Sequence, residues 1–140
     1  MKESNFLIKA ALGITIILGA VIFISVLING TKKEAEVLIN KSTVEIKGQF
    51  GTTINIDDIS DIQLADSIPA VGNKVNGAGL GEIKKGDFDV EGLGTCKLYI
   101  HSNNGPFIFI TLNNKTIIIN FKDINKTTSV FEDLKTALQK

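Results

Sequence analysis

The chain has no arginine: all fifteen of its basic side chains are lysine. Bidentate capture of phosphate, carboxylate or a guanine edge leans on the planar guanidinium fork, so this absence weakens every reading built on those ligands. The fifteen lysines are matched by fifteen acidic residues, giving a formal charge of zero and no field to gather nucleic acid, which is not expected as a partner. One cysteine, Cys96, forbids an internal disulfide. With a single histidine, His101, besides it, structural zinc is excluded and no cofactor is expected. Twenty-two isoleucines and twelve asparagines without an arginine fit the codon usage of an AT-rich bacterial genome.

At 140 residues the chain holds one ordinary domain and an appendage. The appendage is the run AALGITIILGAVIFISVLI, residues 10–28, bounded by Ala10 and Ile28 and free of charge. Thr15 and Ser25 interrupt it, and both hydroxyls can bond back to a helix. At ~1.5 Å per residue the run reaches roughly 28 Å, close to the ~30 Å hydrocarbon core of a bilayer. A cleaved signal peptide would have a shorter apolar core and a small residue three positions before the cut, where Ile28 stands here. The reading is a single membrane-spanning helix with the bilayer as its partner. Lys2 and Lys9 before it nearly balance Lys32, Lys33 and Lys41 after it, so the charge rule for orientation has little to act on. The expectation is a cell-membrane protein with its domain outside the cytoplasm.

Residues 1–30 thus read as tail and span, 31–40 as a linker, and 41–140 as the domain. From the linker to Phe121 the pattern is strand-like, β-branched and aromatic runs broken by Gly, Asn and Asp. TVEIKG alternates Val44 and Ile46 against Glu45 and Lys47. TCKLYIH alternates Cys96, Leu98 and Ile100 against Tyr99 and His101. PFIFITL and TIIINF are apolar on both faces, as central strands are. After Asp123 or Asn125, either able to cap a helix, Val130, Phe131, Leu134 and Leu138 fall at helical spacing. The stretch IPAVGNKVNGAGLG reads as a long connection.

That connection runs into EIKKGDF, and residues 73–88 hold four glycines and three lysines. A dinucleotide fingerprint needs G-x-G-x-x-G leading into a helix. Here Gly77, Gly79 and Gly81 lead into strand-like sequence, and the P-loop pattern is absent as well. Two readings stay open. The glycines can allow positive φ and close backbone approach in a bend. Alternatively, successive amides with Lys74, Asn76, Lys84 and Lys85 can form an anion nest, giving a small-ligand or anion sensor. His101 reads as a solvated or hydrogen-bonded strand residue and Cys96 as a buried thiol. The acidic run around Asp57, Asp58 and Asp61 lacks calcium-loop spacing. No residue set forms a nucleophile–base pair, so an enzyme is not expected.

The order IKGQFG, DDISDIQLADSIP, NKVNGAGLGEIKKGDF, LYIHSNNGPFIFI and IIINFKD, followed by a terminal helix, resembles the bacterial pleckstrin-homology (PH) family. The resemblance spans residues 44–138, about two thirds of the chain. It implies a mainly β fold: a bent antiparallel barrel of about seven strands, capped by a C-terminal helix and here preceded by one transmembrane helix. Phosphoinositide binding is not carried over, because eukaryotic lipid-binding members use a basic first hairpin where LINKSTV offers only Lys41. The function expected is a membrane-anchored, non-enzymatic interaction module presenting the barrel to a protein or peptide.

Overall fold

The structure, a computed structural model, describes residues 2–139. They form two compact units, 1–30 and 31–140. The first unit lies in helix α1, Lys2–Lys32, whose stretch Ser4–Lys32 is long and apolar enough to cross a membrane; a signal sequence meets the same criterion. Thr15 and Ser25 do bond back along it, donating to the carbonyls of Ala11 and Val21 at 2.9 and 2.8 Å, so neither hydroxyl is left bare in an apolar setting.

The second unit is mainly β. Strands β1 (Glu36–Ile39), β2 (Thr43–Lys47) and β3 (Thr52–Asn55) form a three-stranded antiparallel sheet in that order. Strands β4 (Ile59–Ala65), β5 (Val71–Leu80), β6 (Ile83–Val90), β7 (Gly94–Ile100), β8 (Phe107–Leu112) and β9 (Lys115–Ile119) form a second sheet, ordered β4-β8-β9-β7-β6-β5. Helix α2, Ile124–Leu138, closes the chain. Nine strands therefore stand where about seven were expected, and β7 and β9 run parallel. Two of the differences have local causes. Residues 71–80 form β5 although glycine disfavours strands, because the ladder to β6 overrides that weak propensity. Residues 36–39, at the end of the connection read as running into the first strand, pair with β2.

Strand order dictates curvature. β4 and β5 are the outer strands of the six-stranded sheet, yet only residues 66–70 connect them. Five strand spacings in a flat sheet would separate them by about 24 Å, whereas the connection can stretch about 22 Å at most. The sheet must curl. Its concave side buries Phe88, Val90, Cys96, Leu98, Ile100, Phe107 and Ile118, a core drawn from this sheet alone, with Ile68 of the connection packed on it. The other side carries Tyr99, Ile108, Ile110, Ile117 and Ile119 against Val44, Ile46 and Ile54 of the small sheet and Leu134 of α2.

Helix α2 starts where expected: the Asp123 carboxylate accepts from Asn125 N–H at 2.8 Å. Leu134 is buried, with Val130 and Phe131 packed beside it; Thr127, absent from the apolar stripe read in the sequence, is buried as well. Its hydroxyl accepts from Phe121 N–H and donates to the Asp123 carbonyl, joining β9 to the helix.

Candidate functional site

The glycine-rich stretch is a hairpin, not a loop. β5 and β6 pair from Val71↔Val90 to Leu80↔Ile83, leaving Gly81 and Glu82 as a two-residue turn with Gly81 at φ +58°. Gly77 faces Gly86 across the ladder. A Cβ on Gly77 would stand 2.3 Å from the Lys85 carbonyl, and one on Gly86 2.4 Å from that of Asn76, so both glycines serve close backbone approach.

The three lysines also part company. Lys74 and Asn76 are exposed and Lys84 is half-buried, but Lys85 is buried on the opposite face. Its Nζ donates to the Lys33 carbonyl, and burial pushes its pKa down, with Glu34 pulling it partly back. Asp87 answers other lysines: Oδ1 lies 3.3 Å from Lys97 Nζ and 3.8 Å from Lys115 Nζ, charge contacts without hydrogen-bond alignment.

Beside Lys85 lies a buried polar centre the alternation pattern did not reveal. His101, expected to be solvated or hydrogen-bonded, is 1% exposed, and neither ring nitrogen has a hydrogen-bond partner. Burial, then the Lys85 charge, bring its pKa down to about 4, against a smaller opposing pull from Glu34. Asn120, fully buried, accepts from the amides of His101 and Ser102 and donates to the carbonyls of Ser102 and Asn104, fixing the loop that follows β7. Tyr99 hydroxyl donates to the Phe50 carbonyl at 2.5 Å, and burial raises its pKa. Cys96 is buried as expected, its pKa raised by the same cause.

Residues at the end of α1 and just after it are bound to the β-domain. Thr31 and Ala35 are buried, and the Thr31 hydroxyl donates to Gln49 Oε1 at 3.1 Å. Glu34 accepts from Lys122 N–H at 2.9 Å and from Lys126 Nζ at 2.8 Å. Burial works to raise the Glu34 pKa, but the bonds and charge of Lys126 and Lys122 outweigh it and hold the carboxyl below its ordinary value. The domain therefore grips the residues that follow the apolar run through backbone and side-chain bonds.

Elsewhere, an opening lies between β1 and α2. Asn40 N–H bonds the Thr43 carbonyl at 2.8 Å, which sets the alternation of the β1–β2 ladder. By that alternation the N–H and C=O groups of Val37 and Ile39 point away from β2, toward an edge with no strand beside it among the described residues. Next to this edge is a groove of about 360 Å³ lined by Val37, Leu38, Ile39, Asp133, Thr136 and Ala137. A smaller hollow of about 180 Å³ at Asn40 and Lys41 shares Ile39 and Ala137 with it and extends it. A cleft of about 430 Å³ beyond β2 and β3 is lined chiefly by Glu45, Lys47, Thr52 and Thr53 and offers little apolar surface. Among the described residues no group of three or more His, Cys, Asp or Glu side chains is placed to hold a metal ion.

Two β-sheets in contact through one shared core, with a terminal helix on that core, define a small, mainly β domain. The family profile described as a bacterial PH domain matches residues 35–134, and the chain belongs to that family. No curated protein and no solved structure matches it.

Proposed function

We propose that this protein is a membrane-tethered, non-catalytic binding module that takes an extended segment of another protein into the β1–α2 groove. The observation that carries the reading is the open edge of β1 beside a groove of mixed apolar and polar lining. A strand added there finds the backbone groups of Val37 and Ile39 unpaired by β2, while Ala137 and Ile39 receive small apolar side chains and Asp133 favours a basic one. Each new backbone bond contributes about 0.5–1.5 kcal/mol net, which suits a weak, sequence-tolerant interaction unless the side chains add to it. The helix α1 supplies the tether, and its apolar length suits one membrane crossing. A domain outside the cytoplasm would draw its partner from envelope proteins.

Photo-crosslinking in living cells tests this. A benzophenone amino acid at exposed Thr136, in the groove, should give an adduct of discrete mass; the same probe at exposed Thr128, outside it, should give none. Adducts of equal yield at both positions would contradict the groove reading.

A further inference from the structure

We propose that a second copy of this chain occupies the β1 edge, the two β1 strands pairing antiparallel about a two-fold axis at Leu38. The inference uses the same open edge as the reading above and goes beyond it in naming a further occupant, one that excludes the first.

The hydrogen-bonding pattern of β1 is self-complementary. Val37 and Ile39 each turn an N–H and a C=O away from β2, and Leu38 turns its own toward β2. An antiparallel copy centred on Leu38 sets Val37 of each strand opposite Ile39 of the other. Every outward group of both strands is then bonded, and the contact is isologous. Sliding the copy by two residues sets Ile39 opposite Ala35 or Val37 opposite Lys41, both outside β1.

The side chains agree with that register. Val37 and Ile39 pack on the core, so half-buried Leu38 stands on the opposite face of the strand with exposed Glu36. On the axis Leu38 meets its own copy, with about 4.5 Å between Cα atoms, and two apolar side chains cover each other. Glu36 falls opposite Asn40 of the other copy, one residue from its Lys41. Ala137 lines both the groove and the hollow at Asn40 and Lys41, whereas Asp133 lines the groove alone, so α2 carries Asp133 toward the Val37 end of β1. Lys41 of the copy therefore arrives at the end that holds Glu36 and Asp133. All three are exposed, and none has an ion-pair partner among the described residues.

The edge is also regular. Domains blunt outer strands with lysine, proline or a bulge. β4 and β5, the outer strands of the larger sheet, carry register shifts in their ladders, whereas β1 pairs with β2 without one and holds neither lysine nor proline. A copy seated there takes the Val37 and Ile39 groups that a strand of another protein needs, so self-pairing is the closed state of the binding edge.

Disulfide trapping on the purified full chain in detergent tests the pairing and its register. Cα atoms about 4.5 Å apart lie within disulfide reach. Leu38→Cys, mildly oxidised, should give a dimer of twice the 15.1 kDa chain mass. The unsubstituted chain is the blank, since its Cys96 is buried. Glu36→Cys and Asn40→Cys should cross-link at least fivefold more when mixed than either does alone, because like positions lie four residues apart along the pair, roughly 14 Å. Lys41→Glu should cut the Leu38→Cys yield at least threefold, and adding Glu36→Lys should restore part of it. Association through α1 alone would raise these yields alike, without regard to register. A monomeric Leu38→Cys together with a monomeric mixture would overturn the pairing, and Glu36→Cys cross-linking as well alone as in the mixture would overturn its register. A Thr136 adduct whose mass is not that of the dimer belongs to the partner reading and survives the loss of every disulfide, so the two readings fail separately.

Discussion

Two sheet edges in this domain could receive a partner, and they differ in how loudly the sequence announces them. The β5 edge carries Gly72, Gly77 and Gly79 together with exposed Lys74 and Asn76. The β1 edge is four ordinary residues, EVLI. At β5 the conspicuous residues are explained by backbone contact inside the hairpin: Gly77 and Gly86 touch, and Lys85 turns inward. At β1 nothing conspicuous is needed, because the opening is made by what lies beside the strand, α2, and by what does not, a further strand. Composition marks where the backbone is constrained; a docking edge arises from topology.

The largest expected effect breaks the β5 side. Gly86 has φ +101° and no room for a Cβ, so Gly86→Ala should lower unfolding free energy by about 2–4 kcal/mol, read from denaturant midpoints of the full chain in detergent. A change below about 1 kcal/mol would mean the hairpin tolerates separation.

Next comes the buried polar centre around His101. The folded His101 pKa of about 4 lies below the ordinary value of 6.5, so the unfolded chain binds the proton first as pH falls. Stability should therefore be complete above pH 6.5, decline as pH drops toward 4, and lose no more from this group below that. The loss is about 3 kcal/mol in all at ~1.4 kcal/mol per pH unit. His101→Met should flatten this slope at little cost at pH 7, because neither ring nitrogen has a hydrogen-bond partner to lose. Unfolding curves at stepped pH for both proteins decide it; an unchanged slope in the variant would assign the pH response to other groups.

Glu34→Gln should cost about 1–2 kcal/mol through the weakening of two charge-assisted bonds to residues 122 and 126. The smallest effect sharpens the contrast from the other side. Lys74→Ala with Asn76→Ala alters exposed side chains on β5 and should shift stability by no more than ~0.5 kcal/mol. Anion-dependent melting that disappears in this double variant would revive the sensor reading of the hairpin.

Much of the architecture was legible in the chain. The apolar span, the alternation of Val44 with Ile46 and of Cys96 with Leu98, the Asp123 cap and the apolar stripe of α2 all follow from local periodicity and capping chemistry, and each has its counterpart in the structure. The order of segments also led correctly to the PH family and a mainly β fold. What stayed hidden depends on pairing and packing between segments. β5 is a strand because the β6 ladder lies beside it, and Lys85 of β6 turns inward to bond the Lys33 carbonyl after α1. Asn120 looked like one of twelve asparagines, yet its four bonds to the loop after β7 come from its place at the end of a central strand. No local pattern could have singled it out.

The most direct measurement of the central claim is amide hydrogen exchange on the full chain, compared between purified protein in detergent and protein in its native membrane. The account predicts that the amides of Val37 and Ile39 slow when the partner is present, while those of residues 74–80 exchange alike in both. Slowing confined to residues 74–80, with β1 unchanged, would contradict it and move the binding edge to the glycine-rich hairpin.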